Sequence, residues 1–202
     1  MGIFMSRHDN MRTRGTLLQR IGDVDNSHAW YEFVYYYRGY ICGILRKMGI
    51  AHHDSEEIAQ QVLLKISDTI KTFKYAPERG RFRGYLARIT INTANNHFRS
   101  MRHEVSLSEN SDGISPDLTE DPAIDKMADE EWENHLCRIA WRNISGSFGK
   151  NVKDTWDMLC EGRNPQEIAS ALNISENSVY VYKKRIMEKI KPEVKRLQIE
   201  LE

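Results

Sequence analysis

Between Pro77 and Arg102 the sequence sets arginines and carboxamides three and four residues apart. On a helix of 3.6 residues per turn Arg88, Asn92, Asn95, Arg99 and Arg102 share one face, and Phe82, Leu86, Ile89, Thr93 and His97 share the opposite one. One side is suited to burial and the other offers guanidinium and amide groups. Guanidinium groups satisfy phosphates and carboxamides read base edges, so this stripe points to nucleic acid; a plain solvated face is the competing reading. A second candidate surface lies near the C-terminus. There Asn177, Tyr180, Val181, Lys184 and Arg185 fall outward on a helix whose Val179, Tyr182, Ile186 and Ile190 face inward, a set suited to a major groove and its flanking phosphates.

Other chemistry finds little support. His52, His53 and Asp54 are adjacent and point in different directions, with no second ligand cluster, so no metal site is expected. Cys42, Cys137 and Cys160 never form a C-x-x-C pair and read as reduced thiols of a cytoplasmic protein. There is no Gly-rich phosphate loop, no H-E-x-x-H and no nucleophile elbow, so neither an enzyme nor a cofactor is expected. No apolar run reaches the roughly 18 residues of a membrane span, and no membrane insertion is expected. The N-terminal Met1-Gly2 matches a myristoylation pattern on paper, with nothing else to support it.

The elements that must hold these surfaces are helical throughout. Asp25-Asn26-Ser27 caps a pattern from His28 to about Met48, in which Trp30, Phe33, Val34, Tyr37, Ile41, Ile44, Leu45 and Met48 recur at core spacing. Gly49 closes it. Asp54-Ser55-Glu56-Glu57 opens the next helix, to about Phe73, with Ile58, Ala59, Val62, Leu63, Ile66, Ile70 and Phe73 on its buried face. Leu64 stands on the outer face among Glu57, Gln60, Gln61 and Asp68, which hints at a protein partner. A turn at Tyr75–Gly80 leads to the basic helix. Periodicity resumes at about Glu130 and again at about Asn151. Then Asn164-Pro165 starts a helix to Leu172, Asn173 supplies a left-handed turn, and Ser175 caps a helix from Glu176 to about Lys191. Two helices around a tight turn, with small Ala169 at their crossing, make a helix-turn-helix pattern.

The chain of 202 residues carries 29 basic and 29 acidic side chains, and the zero sum conceals their distribution. From Lys71 to Arg102 eight cations face only Glu78; from Glu104 to Glu133 eleven acids face only Lys126. Residues 104–131, rich in Ser, Pro and acids, therefore read as a flexible acidic linker. The fold class expected is all-α: a mobile tail at 1–15, a helical domain at 16–103, that linker, and a helix-turn-helix domain at 132–202.

Two separate stretches resemble one family. Thr16–Asp23, Ala29–Val34, Asp54–Val62, Phe82–Ile89 and Asn92–Phe98 look like region 2 of a bacterial sigma factor of the extracytoplasmic-function group. Glu161–Ala169 and Ser178–Arg185 are similar to its region 4. The resemblance implies two partners, core RNA polymerase and promoter DNA. It implies that Glu57, Gln60, Gln61 and Val62, with Leu64 on the same helix, dock on the polymerase clamp. It further implies that Asn92, Asn95 and Asn96 meet bases of a single-stranded minus-ten element while Arg81, Arg88 and Arg99 meet its backbone. Asn177, Tyr180, Val181, Lys184 and Arg185 would read the minus-thirty-five duplex, and an anti-sigma factor would be a third partner. Gln61, Ile91 and Asn173 depart from residues common at these positions in the family: an acid, a basic residue and a glycine.

Joined by a tether, two weak DNA contacts reinforce each other by raising effective concentration. The charge pattern also suggests that linker acids compete with DNA for Arg88 and Arg99 in the free protein. The alternative is a stand-alone helix-turn-helix regulator of duplex operators, which would need a ligand pocket or dimer surface.

Overall fold

The computed structural model describes residues 15–21, 26–70, 82–103 and 122–201. These form helices α1 (Gly15–Ile21), α2 (Ser27–Lys47), α3 (His52–Ile70), α4 (Phe82–His103), α5 (Pro122–Ile144), α6 (Lys150–Cys160), α7 (Pro165–Leu172) and α8 (Glu176–Leu201). No strand occurs among the described residues, so the chain is all-α as expected. It divides into two compact units, one ending at His135 and one spanning Leu136–Leu201.

In the first unit α2 is the central element, packed against α1, α3 and α4. Asn26 starts it by accepting a 3.0 Å hydrogen bond from the Ala29 amide, a cap that contributes about 1 kcal/mol. Gly49 ends it with φ +76°, letting the Ile50 amide bond back to the Leu45 carbonyl. Between these stops Ala29, Phe33, Tyr37, Tyr40, Ile41, Ile44 and Leu45 are buried, against Ile58, Ala59, Val62 and Ile66 of α3 and Phe82, Leu86, Ala87 and Ala94 of α4. Aromatic rings tile the centre, with Phe33 stacked on Tyr37 at 4.5 Å and Phe82 edge-on to Tyr37 at 5.4 Å. Tyr31 and Tyr35 depart from the aromatic core and lie exposed.

The buried stripe of α4 is rotated slightly from the one its apolar residues suggest. Thr90 and Thr93 are buried and Ile89 is half-exposed. The threonine hydroxyls are satisfied locally: Thr90 donates to the Leu86 carbonyl at 2.7 Å, and Thr93 accepts from Lys65 Nζ at 3.1 Å. Small and β-branched residues at 87, 90, 93 and 94 let the helix approach its neighbours closely, which outweighs burial of one isoleucine.

The flexible linker expected through residue 131 is corrected in its last part. Residues 122–131 are helical, opening on Pro122 at the first helical position, where its missing N–H costs nothing. Ala128 and Trp132, with Glu131 and His135, are buried in this unit. Trp132 stacks on Tyr37 at 5.9 Å and meets Tyr40 edge-on at 5.2 Å. Charge density hid a helix whose acids are paired rather than merely solvated. Residues 104–121 lie outside the described residues.

Two glycines of α2 make room for this helix. A β-carbon at Gly39 would stand 2.9 Å from the His135 ring, and one at Gly43 would overlap the buried Glu131 carboxylate. His135 Nε2 reaches the Tyr36 carbonyl at 2.5 Å.

In the second unit α6, α7 and α8 pack on one another around Ile168, Ala169 and Val179, with Met158, Leu159, Leu172 and Ile174 at the edge. Leu136, Ile139 and Ala140 of α5 are buried, and Trp141 meets Trp156 at 5.1 Å. Contrary to an end near Lys191, α8 runs to Leu201 through Pro192. The proline sits on the exposed side. Beyond it Leu197 and Leu201 are buried, and Glu193 accepts from Asn143 at 2.8 Å and from Arg196 at 2.7 Å. Packing on both sides of the proline thus offsets one lost backbone hydrogen bond. Arg196 holds the Glu193 carboxyl below the usual carboxylate range, with Asn143 adding to the effect.

Gly43→Ala is expected to lower stability by about 2 kcal/mol, the scale of forced overpacking net of the gain in helix propensity. Gly146→Ala, with open space around it, is expected to stay within about 0.5 kcal/mol. Thermal or urea unfolding of the two variants measures the difference.

Candidate nucleic-acid interface

In the first unit α4 turns its buried face to α2 and α3 and leaves Asn92, Asn95 and Arg99 exposed in one line, with Asn96 half-exposed beside it. From residue 88 to residue 99 the line is roughly 16 Å long at 1.5 Å per residue. Arg99 is exposed and makes no ion pair with any described residue. Arg81 lies outside the described residues, and so does the side chain of Arg102.

Arg88 heads the same line but is already engaged. Its Nη2 lies 2.9 and 3.0 Å from Asp125 Oδ1 and Oδ2, and the side chain is 18% exposed against 43% for Asp125. Both carboxylate oxygens share one nitrogen, so this is not the parallel two-nitrogen fork of the strongest arginine pairs. Arg88 Nε is buried without a hydrogen-bond partner among the described residues. With the carboxylate almost half exposed, such a pair contributes about 1 kcal/mol or less. One turn further along α5, Asp129 accepts from Arg83 Nε at 2.9 Å, and Arg83 is nearly fully buried. Asp125 is the acid that takes the place on Arg88 suggested by the charge pattern, whereas the pairing of Asp129 with Arg83 was not expected. Their four-residue spacing, in register with Ala128 and Trp132, was the available signal.

On α3, Leu64 is 66% exposed and Glu57 and Gln60 are exposed around it. Gln61 is half-exposed and donates to Glu57 at 3.3 Å. Val62 is fully buried, on the core side expected from its spacing, and so lies apart from the exposed surface around Leu64. At 100° per residue it falls on the side of Ile58 and Ile66, not on the side of Gln60 and Leu64.

In the second unit the turn between α7 and α8 is tightly specified. Asn164 and Glu167 form a reciprocal capping box at 2.9 and 3.0 Å, Pro165 occupies the first helical position, and Asn173 takes φ 52°, ψ 50°. The Ile174 amide then returns to the Ala169 carbonyl at 3.0 Å, and the Ser178 amide bonds Ser175 Oγ at 3.1 Å. Asparagine tolerates the left-handed conformation usually given to glycine there. Asn177, Tyr180, Val181, Lys184 and Arg185 are all exposed on α8. Val179 and Ile186 are buried behind them, and Tyr182 is half-buried. Exposure of Tyr180 and Val181 without apolar cover suits contact with base edges and thymine methyls.

Partial burial raises the Cys42 and Cys137 thiols, which favours the protonated, unreactive form at neutral pH. No helix among the described residues is long and apolar enough to cross a membrane.

The geometry describes an all-helical protein with a helix-turn-helix in one unit and a polar, amide-rich helix face in the other. Residues 33–104 match the family model for Sigma-70 region 2, and residues 155–196 match that for bacterial regulatory proteins of the luxR family. No curated protein matches the chain. The two matches support the sigma-70 family and a role in promoter recognition, and a Sigma-70 region 2 implies core RNA polymerase and promoter DNA as partners. The matched families are not enzyme families.

Val62→Ala is expected to cost about 2 kcal/mol of folding stability, from lost burial and a residual cavity. Leu64→Ala is expected to change stability by less than about 0.5 kcal/mol. Chemical denaturation separates core residue from surface residue.

Proposed function

We propose that the chain is a sigma factor of the extracytoplasmic-function group, cytoplasmic in its site of action. The observation that carries this is the α4 line of Asn92, Asn95 and Arg99, exposed within the segment that matches Sigma-70 region 2. In this reading Glu57, Gln60, Gln61 and Leu64 of α3 hold core polymerase. Asn92, Asn95 and Asn96 take bases of the melted minus-ten strand, while Arg99, with Arg88 and Arg81, meets its phosphates. The outer face of α8, Asn177, Tyr180, Val181, Lys184 and Arg185, reads the minus-thirty-five duplex. Promoter choice then comes from two contacts on one chain, neither of which needs to be tight by itself. An anti-sigma factor that covers the α3 surface around Leu64 would hold the protein inactive by excluding polymerase.

The luxR-type match favours a second reading for the C-terminal unit alone, a regulator of duplex operators. That reading leaves the match at 33–104 and the amide line of α4 without a role.

Run-off transcription with purified bacterial core polymerase on a genomic promoter library tests the proposal. Promoter-dependent transcripts are expected, and failure of the chain to bind core polymerase refutes it. Asn92→Ala and Asn95→Ala are expected to change promoter ranking by about tenfold, the scale of one lost base contact. Arg99→Gln is expected to weaken all promoters alike and to lower the salt slope by about 0.7.

A further inference from the structure

Asp125 lies on Arg88, at the head of the α4 line that the proposed function assigns to DNA. We propose that the Asp125 carboxylate stands in for a DNA phosphate on Arg88, so that the first turns of α5 form a reversible cover over one end of the DNA-binding face. The inference rests on the reading of α4 as DNA-facing, and deepens it with a mode of regulation.

Three observations carry it. The first is the quality of the pair. Asp125 engages Nη2 alone and leaves Arg88 Nε unsatisfied. A phosphate presents more acceptor oxygens than Asp125 uses, and can exchange for the carboxylate without leaving the arginine bare. The second is the contrast within one helix. Asp129, a turn later, is tied to buried Arg83, and Ala128, Glu131, Trp132 and His135 are sunk into the core. The anchor of α5 therefore begins at Ala128. Pro122 before it is exposed, and Ile124 and Asp125 are half-exposed, so the first turn has less burial to lose than the anchor when it lifts. The third is selectivity along the line. The charge pattern suggests that acids cover both Arg88 and Arg99, yet Arg99 is exposed and pairs with no described residue. Among the described residues the cover thus masks the Arg88 end of the face and leaves Arg99 exposed, where a strand can first land. A strand bound at Arg99, Asn95 and Asn92 then reaches Arg88 and displaces Asp125.

The test uses the full chain and fluorescence anisotropy of a labelled random-sequence single-stranded DNA of about 15 nucleotides, over a salt series. Asp125→Asn is expected to tighten binding by roughly 5- to 10-fold at low salt and to steepen the salt slope by about 0.7, the value of one more phosphate contact on a single strand. In an Arg88→Gln background the same substitution is expected to have no effect. Asp129→Asn removes an equal charge at the anchor and is expected to lower stability without tightening binding. Asp125→Ser repeats the measurement should the asparagine variant fold poorly.

The cover is refuted if Asp125→Asn binds as the parent does while Arg99→Gln weakens binding; the DNA face then stands alone. It is refuted equally if Asp125→Asn tightens binding as much without Arg88, or if Asp129→Asn matches it, because general charge removal then explains the gain. If neither Arg99→Gln nor Asn92→Ala changes binding, the reading of α4 as a DNA face fails with it.

Discussion

The hydroxyl of Tyr40 lies 3.2 Å from the backbone carbonyl of Arg83 and 3.2 Å from that of Ala128. One phenol on α2 thereby joins the start of α4 to the first half of α5. Burial raises the Tyr40 hydroxyl above its ordinary range, so it keeps the proton it shares between the two acceptors. Its ring is fully buried against Trp132, and Gly39 and Gly43 beside it clear the groove that admits His135 and Glu131. The constraint is steric and polar together: a helix buried on most sides must provide both the space its neighbours need and partners for their polar groups. Because Tyr40 holds Ala128, Asp125 stands over Arg88 and Asp129 over Arg83.

That arrangement divides the polar groups of α4 between structure and surface. Arg83, Thr90 and Thr93 are consumed inside the unit, satisfied by Asp129, by the Leu86 carbonyl and by Lys65. Asn92, Asn95 and Arg99 are left for solvent or a ligand. Arg88 lies between these groups, paired yet incompletely satisfied. A buried arginine with a matched partner is a fixed part of the fold, whereas a half-exposed pair of low net value can exchange partners.

The second unit reaches its geometry by local means. The capping box of α7, the left-handed Asn173 and the Ser175 cap fix the entry and exit of short helices within a few residues of each turn. Little long-range packing is needed beyond Ile168, Ala169 and Val179. The first unit depends instead on aromatic rings and glycine notches contributed from positions up to about a hundred residues apart, such as Tyr36 and His135.

This difference explains what could be read from the amino-acid order. Helical period, caps and turns are local properties, so the all-α class, the start of α2 near Ser27, the helix-turn-helix and the outward set on α8 follow from sequence alone. The amide line of α4 follows for the same reason, since spacing along one helix decides which residues share a face. Tertiary packing alone decided that Thr90 displaces Ile89 from the interior and that α8 passes through Pro192. It also decided that residues 122–131 are a packed helix. Their charges signal a solvated tether in isolation, and only the approach of Arg83, Arg88 and the Gly39–Gly43 groove turns those charges into partners. Pairing between distant side chains depends on where the backbone carries them, and composition does not encode that position.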